Sequence, residues 1–335
     1  MEMSSAEHVC TVVWCLFSGL VSVVGNTTVL LAACLYRSIR LDKIAVILIT
    51  NLAVADLSMA LSVILPTSGA AMYKRWLYGD ILCIATNYIE SFLATASILL
   101  LCALNISKLT SLLFPFRART RTKRTGYRIA GFIWILSFLP IIPDFVFHRK
   151  VAFNINVFRC DAADLKHVDK WLDPIKSTIL VFVPLGIISI STIWLIFFVR
   201  KVRGLQKQSV VTSILISLVF MASFVPFGII LVLGDNFDIQ NSFHMGCYKV
   251  AVLAPFLNFM ANPLIYLASI ASFREFVAQR LLNVKGWSDV RDNLSVRELS
   301  ISRVSSNNVL SSLRRAYTLR QSSVVSTDNM LKTDV

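Results

Sequence analysis

The sequence contains few charged residues and few glycines for its length. Charged residues make up 16% of the 335 positions, glycine occupies 12 positions, and 56% of the residues are hydrophobic. A soluble domain of this size could not bury so much apolar surface, so the composition indicates a membrane protein. The sequence also lacks metal-ligand clusters, nucleophile motifs and phosphate-binding loops, and this argues against an enzyme.

Seven apolar runs are long enough to cross a bilayer as helices, since about 20 residues span a hydrocarbon core of about 30 Å and barrel strands are much shorter. The runs lie at 10–36, 44–66, 81–113, 128–147, 174–199, 209–233 and 247–269. We therefore predict an all-α membrane protein, with a seven-transmembrane helix bundle at 11–283 between a short outer segment at 1–10 and a cytoplasmic tail at 284–335.

Lysine and arginine are concentrated in alternate loops. The first ten residues contain neither, whereas the predicted inner loops contain Arg37, Arg40 and Lys43, then Arg117, Arg119, Arg121, Lys123, Arg124 and Arg128, then Arg200, Lys201, Arg203 and Lys207. The positive-inside rule places these loops in the cytoplasm and the amino terminus outside, as in a plasma-membrane protein. The net charge of +14 then results mainly from the basic cytoplasmic loops, which would be attracted to anionic lipid. Nucleic-acid binding is not indicated, because no basic domain stands apart from the spans.

Two pairs of cysteines lie near the predicted outer surface. Cys83 opens the third run and Cys160 lies in the loop after the fourth. Because the outer compartment is oxidising, we predict a disulfide bond between Cys83 and Cys160. The sequence leaves open whether Cys10 and Cys247 form a second bond.

Five polar residues interrupt the apolar runs. An ionised side chain at the centre of a span costs roughly 2.5–3.5 kcal/mol on insertion scales, so such residues are usually functional. Asn258 and Asn262 are four positions apart and share one helix face, while Asp56 and Ser97 lie at similar depths of their spans. We predict that these four residues and Asn26 form a shared polar cluster inside the bundle.

Short motifs occur in the order and spacing of a known family. They are Gly25-Asn26, Asn51-Leu-Ala-Val-Ala-Asp56, Trp76-Leu-Tyr-Gly79 before Cys83, Trp134, Pro184, Phe224-Val-Pro226 and Asn262-Pro263-Leu-Ile-Tyr266. Through them the chain resembles a rhodopsin-like (class A) G-protein-coupled receptor. The resemblance implies that a short amphipathic helix on the inner membrane face opens at Phe273-Arg274.

The resemblance also implies a switch inside the bundle. A carboxylate among oxygen ligands suits a hard cation, so the resemblance implies an allosteric sodium ion at Asp56 and no other metal or cofactor. The alternative is that Asp56 is held by hydrogen bonds or protonated, without an ion. Pro226 and Pro263 interrupt helical hydrogen bonding, and such weakened helices would allow the inner half of the bundle to open. Phe224 and Tyr266 complete the predicted activation residues.

The chain departs from this family at the inner ends of its spans. Where the family has Asp-Arg-Tyr, this sequence has Ser107-Lys108-Leu109, and lysine does not replace the planar fork of arginine. Thr192 replaces the usual tyrosine of span 5, and Gln206 replaces the acidic residue of span 6. Phe224 replaces the tryptophan of span 6. We therefore expect atypical coupling: either altered or weak G-protein coupling with high basal activity, or a receptor that signals little through G proteins.

Glu90 is the predicted ligand contact. It lies seven residues after Cys83, which is about 10 Å deeper along a helix at roughly 1.5 Å per residue. Three states remain open for Glu90: contact with a cationic ligand, an internal ion pair with Lys176, or an uninvolved protonated group. By the resemblance, the same cavity is lined by Asn87, Phe227, Leu231 and Phe256.

The inner surface is predicted to bind intracellular partners. By the resemblance, a heterotrimeric G protein and arrestin would contact Lys108, Arg117, Arg200 and Lys201. The tail is rich in serine and threonine, several of them three residues after an arginine, which is typical of a disordered regulatory segment. Its last residues, Thr333-Asp334-Val335, resemble a ligand of PDZ domains.

These features predict a cell-surface receptor that transmits the binding of an extracellular small molecule or short peptide to G proteins. Two alternatives remain. A seven-helix protein that couples weakly or not at all could act as a scaffold or heteromer partner. An ion-coupled transporter could use Asp56 and Glu90 as an ion pathway, although the sequence shows no inverted repeats.

Overall fold

A computed structural model describes residues 5–35, 42–147, 150–162, 175, 178–233 and 242–278. All structural statements below refer to these residues. The predictions for the tail, including Thr333-Asp334-Val335, lie outside them, and so do Lys176 and the side chain of Leu231.

The described chain is mostly helical, and its helices form seven spans, which confirms the predicted bundle. Span 1 is α1 (Ser5–Leu35), and span 2 consists of α2 (Lys43–Met59), a π-helical turn (Ala60–Ile64) and α3 (Leu65–Tyr73). Span 3 is α4 (Gly79–Leu113), which the short α5 (Pro115–Thr120) follows. Span 4 consists of α6 (Lys123–Leu136) and α7 (Ile141–Val146). Span 5 consists of a π-helical turn (Thr178–Phe182) and α8 (Val183–Val199). Span 6 is α9 (Gly204–Leu233), and span 7 consists of α10 (Ser242–Leu253) and α11 (Pro255–Ser269). The short helix α12 (Ala271–Phe276) follows span 7.

Six of the seven spans are long and apolar enough to cross a membrane by themselves, and α8 of span 5 is shorter. The helices extend beyond several of the predicted limits. Span 1 begins at Ser5 rather than at 10, and span 2 continues to Tyr73 rather than 66. Apolar runs mark the part of a helix that meets hydrocarbon, whereas the helix itself continues into the polar boundary of the bilayer.

Apolar side chains cover the outside of the bundle as well as its core. Ile135 of span 4 and Phe197 of span 5 are about 70% and 69% exposed. In contrast, fully buried positions include the polar residues Asn26, Asp56 and Ser97. A surface this apolar is stable in lipid rather than in water, so the distribution fits a multi-pass membrane protein.

Small residues allow close contact between spans. A Cβ atom at Gly25 of span 1 would lie 2.6 Å from Cγ of Pro263 in span 7, and one at Gly126 of span 4 would lie 2.8 Å from Cδ1 of Ile47 in span 2. Glycine at such contacts lets two helix backbones approach, which is a common basis of helix packing in membranes.

Span 7 is interrupted at Ala254, because Pro255 has no backbone N–H to continue the helical hydrogen bonds. The N–H of Leu257 donates to the carbonyl of Ala254 at 3.0 Å instead of to that of Leu253. The indole Nε1 of Trp14 donates to this Leu253 carbonyl at 3.1 Å. A side chain of span 1 therefore satisfies a carbonyl that the break in span 7 leaves without its helical partner.

The loop after span 4 contains a β-hairpin that the all-α prediction did not include. Strands β1 (Val151–Asn154) and β2 (Arg159–Ala162) are antiparallel, and Phe153 pairs with Cys160. The predicted disulfide bond is present and joins Cys160 to Cys83 of span 3. Phe158, in the turn, is buried against Ala70 and Ala71 of span 2. Four-residue strands carry too little alternation to be recognised in the sequence.

Candidate functional site

The carboxylate of Asp56 is fully buried at the centre of the bundle and holds three spans together. The Ser97 hydroxyl donates to its Oδ1 at 2.9 Å, and the amide of Asn262 donates to its Oδ2 at 2.8 Å. Both bonds cross between helices, from span 3 and span 7 to span 2. The structure thus brings three of the five predicted cluster residues into direct contact.

Asn26 lies beside this group and joins span 1 to span 7. Its amide donates to the carbonyl of Phe259 at 3.1 Å and to Oγ of Ser22 at 3.1 Å. Ser22, which the sequence analysis did not single out, also donates to the Phe259 carbonyl at 3.2 Å. A serine in a run of small and apolar residues gives no signal in the sequence beyond its polarity.

Several buried polar atoms near the cluster have no hydrogen-bond partner among the described residues. They are both side-chain amide atoms of Asn258, the Oδ1 atoms of Asn26 and Asn262, and the hydroxyl of Tyr266. An unsatisfied buried polar atom costs about 1–3 kcal/mol, so such atoms bind water or an ion in a stable protein. Oxygen atoms of Asp56, Ser97, Asn258 and Asn262 are a donor set that fits a sodium ion. No group of three or more His, Cys, Asp or Glu side chains that could hold another metal occurs in the described chain.

The predicted activation residues lie on spans 6 and 7. The ring of Phe224 is buried and stacks on Phe220, with ring centroids 4.8 Å apart. Pro226 lies inside α9 and Pro263 inside α11. Tyr266 is buried and stacks on Phe273, with centroids 6.0 Å apart. Span 7 therefore packs against the residue at which the amphipathic helix was predicted to begin, although α12 begins two residues earlier, at Ala271.

The inner halves of spans 3 and 6 are joined by a hydrogen bond between neutral side chains. The amide of Asn105 donates to Oγ of Ser217 at 2.8 Å, and both residues are buried. Lys108 is half-buried, and Asp42 at the start of span 2 is close enough to interact with it electrostatically. Neither Asn105 nor Ser217 was singled out from the sequence as a site residue, because nothing local indicates that the two side chains meet.

The other predicted coupling residues lie on the surface of the loops that are predicted to face the cytoplasm. The guanidinium of Arg117 lies 5.7 Å from the ring centroid of Phe114, and the ammonium of Lys201 lies 6.0 Å from that of Phe198. Arg200 ends span 5 and is exposed. Arg117 and Lys201 therefore stand beside aromatic rings three residues away in the sequence, and all three cations are exposed.

Glu90 forms an ion pair with a residue that the sequence analysis did not propose. Its Oε1 lies 2.8 Å from Nη1 of Arg159 in β2, and Nε of Arg159 lies 2.7 Å from Oδ1 of Asp161. Burial lowers the pKa of the Arg159 guanidinium, but the charges of Asp161 and Glu90 outweigh burial and raise the pKa above its ordinary value. The expected partner, Lys176, lies outside the described residues.

The other predicted ligand contacts are distributed around the outer half of the bundle. Asn87 donates to the carbonyl of Cys160 at 3.2 Å and so helps to hold the hairpin on span 3. Phe256 is buried, and Phe227 is half-buried in span 6. Arg159 of the hairpin contacts Glu90 directly.

A cavity of about 940 Å³ lies elsewhere, along span 7 between spans 1 and 6. It is lined by Trp14, Pro226 and Val250, and Val250 is 69% exposed. Cys10 and Cys247 also line this cavity, and both are free thiols. The structure therefore does not form the second disulfide bond that the sequence left open.

Comparisons with known proteins agree with the arrangement of the spans. The model of the family described as "7 transmembrane receptor (rhodopsin family)" matches residues 25–266. The type-1 angiotensin II receptor of Homo sapiens is 26% identical over 317 residues, which cover 88% of this chain and 87% of the receptor. The octopamine receptor Oamb of Drosophila melanogaster is 34% identical over 128 residues, or 38% of this chain and 20% of that receptor.

A crystal structure of squid rhodopsin shares the fold. It superimposes with a TM-score of 0.72 at 17% identity and covers 85% of this chain and 88% of the rhodopsin chain. The match of the family model spans most of the bundle, including the buried cluster around Asp56. The chain therefore belongs to the rhodopsin family of seven-transmembrane receptors, which are not enzymes.

Proposed function

We propose that this protein is a plasma-membrane receptor that transmits the binding of an extracellular small molecule or short peptide to heterotrimeric G proteins. The observation that carries the proposal is the buried carboxylate of Asp56, to which spans 3 and 7 donate hydrogen bonds. Polar side chains inside membrane spans are costly and usually functional, and these bonds fix the relative positions of three spans. The relatives named above are receptors for angiotensin II and for octopamine, which supports a receptor and does not choose a ligand.

In this mechanism the ligand shifts an equilibrium between two arrangements of the bundle. Asn262, which bonds to Asp56, directly precedes Pro263 in span 7. Proline leaves the helix weak at this point, so a change in the Asp56 bonds changes the direction of the inner half of span 7. On the inner side, the Asn105–Ser217 bond closes span 6 on span 3 and opens in the active arrangement.

The decisive measurement is basal nucleotide exchange across a panel of G proteins at matched surface levels. Lys108→Ala is expected to abolish exchange, because Lys108 stands at the inner end of span 3. Lys43→Ala is the matched control, since Lys43 is an exposed lysine at the neighbouring end of span 2.

Asp56→Asn tests the buried cluster, and wild-type exchange in this variant would contradict its role. Absence of exchange with every G protein would favour the scaffold function, which the replacement of the family's arginine by Lys108 supports.

We also propose that a sodium ion binds at Asp56. The partnerless Oδ1 atoms of Asn258 and Asn262 support this, because they can supply ligands beside the carboxylate. Sodium at about 10 times its Kd stabilises the folded state by about 1.4 kcal/mol. We expect a higher Tm in sodium chloride than in choline chloride at equal ionic strength, and no such difference in Asp56→Asn. Equal Tm values of the wild type in the two salts would exclude the ion.

Arrestin and a PDZ-domain protein are further proposed partners. The sequence of the tail supports both, through its serine and threonine residues and through Thr333-Asp334-Val335. Deletion of the last three residues is expected to abolish capture by PDZ domains and to leave nucleotide exchange unchanged.

A further inference from the structure

The loop between spans 3 and 4 contains two threonines in the same sequence context. Arg117 precedes Thr120 by three positions, and Arg119 precedes Thr122 by three positions. Basophilic kinases select an arginine at this position, because carboxylates of the kinase complement its charge. The sequence pattern therefore makes the two threonines equivalent, whereas the structure places them differently.

Thr120 is the last residue of helix α5, and its hydroxyl already has a partner. Its Oγ1 donates to the carbonyl of Arg117 at 2.9 Å, within the same turn. Clefts that read the side chains on both sides of one residue bind a peptide as extended chain. The end of α5 must therefore unwind, and this hydrogen bond must break, before a kinase can reach Thr120.

Thr122 lies in extended backbone between two helices. Arg121 has φ −65° and ψ 133°, and Thr122 has φ −100° and ψ 160°. Thr122 is exposed, and its side chain forms no capping hydrogen bond with α6, which begins at the next residue. Its Oγ1 lies 3.4 Å from Oγ1 of Thr125, which is a weak contact. Thr122 is therefore exposed in a segment that already has the shape that such a cleft binds.

The segment around Thr122 is basic and contains no acidic residue. Lys123 and Arg124 follow Thr122, and both are exposed. No aspartate or glutamate occurs between Glu90 and Asp144 in the sequence. A phosphate adds about −1.5 to −2 charges at pH 7, and basic neighbours and the start of a helix stabilise it. A phosphate on Thr122 would therefore offset the charge of about two of these cations.

Arg121 fastens this segment to span 3. Its Nη2 donates to Oγ1 of Thr110 at 2.7 Å. Thr110 lies two residues after Lys108, which is one of the proposed contacts with the G protein. A phosphate on the residue next to Arg121 would therefore lie at the surface where the proposed function places the G protein. Loss of positive charge at the rim of an interface slows association with a partner of opposite charge.

We propose that Thr122 is a phosphorylation site of a basophilic protein kinase and that its phosphate lowers coupling to G proteins. Oγ1 of Thr122 attacks the γ-phosphorus of ATP, and the bond from that phosphorus to the bridging oxygen breaks, so that ADP leaves. The hydroxyl proton passes to a carboxylate of the kinase. The proposal rests on the proposed receptor function, which places this loop in the cytoplasm, where kinases and ATP are present.

Site-resolved mass spectrometry tests the modification on the purified full-length receptor. The protein is incubated with ATP and the catalytic subunit of cyclic-AMP-dependent protein kinase, a basophilic enzyme, and is then cleaved with chymotrypsin. Cleavage after Phe116 and after Tyr127 releases one peptide that contains both threonines. We expect phosphate to form on Thr122 about 10-fold faster than on Thr120, because local opening of α5 must precede the slower reaction.

A synthetic peptide of residues 114–127 is the matched control for the fold. It contains both arginine patterns but is too short to keep α5 folded, so its two threonines are expected to react at similar rates. In the receptor, Thr122→Ala is expected to remove the phosphate from this segment, and Thr120→Ala to leave Thr122 phosphorylated. Equal rates at Thr120 and Thr122 in the receptor, or no phosphate on Thr122, would overturn the proposal.

Nucleotide exchange measures the effect of the phosphate. Treatment with the kinase is expected to lower exchange more in the wild type than in Thr122→Ala, whose tail can still be phosphorylated. Equal losses in these two proteins would overturn the regulatory role of Thr122. A receptor that stimulates no exchange in any form would contradict the proposed function, whereas the mass spectra would still decide whether Thr122 is the modified residue.

Discussion

Span 3 carries three polar side chains at successive depths, and each is bonded to a different part of the molecule. Glu90 binds the hairpin, Ser97 binds the carboxylate of span 2, and Asn105 binds span 6. The steps between them are seven and eight residues, or about 10 and 12 Å at roughly 1.5 Å per residue. Single residues of span 3 therefore connect it to the hairpin in the outer half of the bundle, to span 2 at the centre and to span 6 in the inner half.

Trp134 provides a test of a single hydrogen bond between spans. Its Nε1 donates to Oδ1 of Asn51 at 3.0 Å, which joins span 4 to span 2. We expect Trp134→Phe to reduce stability by about 1 kcal/mol, because it removes the donor and keeps an aromatic ring against Phe92, 5.5 Å away. Trp194→Phe is the matched control, since Trp194 is 50% exposed in span 5 and stacks on Phe198. Thermal unfolding in detergent measures both variants, and equal losses would show that the Asn51 bond contributes nothing.

At the scale of elements, the helices combine close packing with local breaks. Pro226 and Pro263 lie inside helices, and π-helical turns interrupt span 2 at Ala60–Ile64 and begin span 5 at Thr178–Phe182. A π-helical turn shifts the bonding by one residue, as where the N–H of Leu65 donates to the carbonyl of Ala60. Proline removes a regular hydrogen bond from its helix, and groups of neighbouring spans can replace it. The contact of Trp14 with the Leu253 carbonyl is one such replacement. At this break, span 7 is therefore stabilised by a side chain of span 1 in place of a hydrogen bond within its own backbone.

The contact of span 1 with span 7 at Gly25 is expected to tolerate no side chain. An alanine Cβ there would lie 2.6 and 2.8 Å from two atoms of the Pro263 ring, which cannot rotate away. We expect Gly25→Ala to cost about 1–3 kcal/mol despite the better helix propensity of alanine. Gly131→Ala gains the same propensity, about 1 kcal/mol, and meets no atom within 4 Å. Comparing the Tm of Gly25→Ala with that of Gly131→Ala in one detergent isolates the steric cost of the new Cβ atom. If Gly25→Ala left the Tm unchanged, spans 1 and 7 would separate easily at this contact.

The sequence predicted the elements that depend on local composition and missed those that depend on distant partners. The spans were found because an apolar run of about 20 residues is rarely anything but a membrane-spanning helix. Cys83 and Cys160 were paired correctly because Cys83 opens span 3 and Cys160 lies in the loop after span 4, both on the predicted outer side, where the compartment is oxidising. The partner of Glu90 was missed because Arg159 lies in a hairpin whose four-residue strands leave no pattern. Asn105 and Ser217 are 112 residues apart, and their contact requires the packing of the whole bundle.

At the scale of the whole molecule, charge and topology are linked. The net charge of +14 is carried largely by loops on one side, whereas the first ten residues contain no lysine or arginine. The disulfide bond between Cys83 and Cys160 belongs to the opposite side and requires an oxidising compartment. Two independent features therefore favour the same orientation, with the hairpin outside and the basic loops in the cytoplasm.

Epitope accessibility on intact cells tests this orientation. An epitope placed before Ser5 is expected to bind antibody on intact cells, and one inserted after Lys201, in the loop between spans 5 and 6, only after permeabilisation. Arg200→Glu with Lys201→Glu and Arg203→Glu removes three positive charges from one inner loop, but the cluster between Arg117 and Arg128 remains on the same side. We therefore expect this variant to keep its orientation, because the positive-inside bias sums over loops. Antibody binding at the position after Lys201 in intact wild-type cells would reverse the topology, and with it the assignment of Lys108 and Arg117 to the surface that meets a G protein.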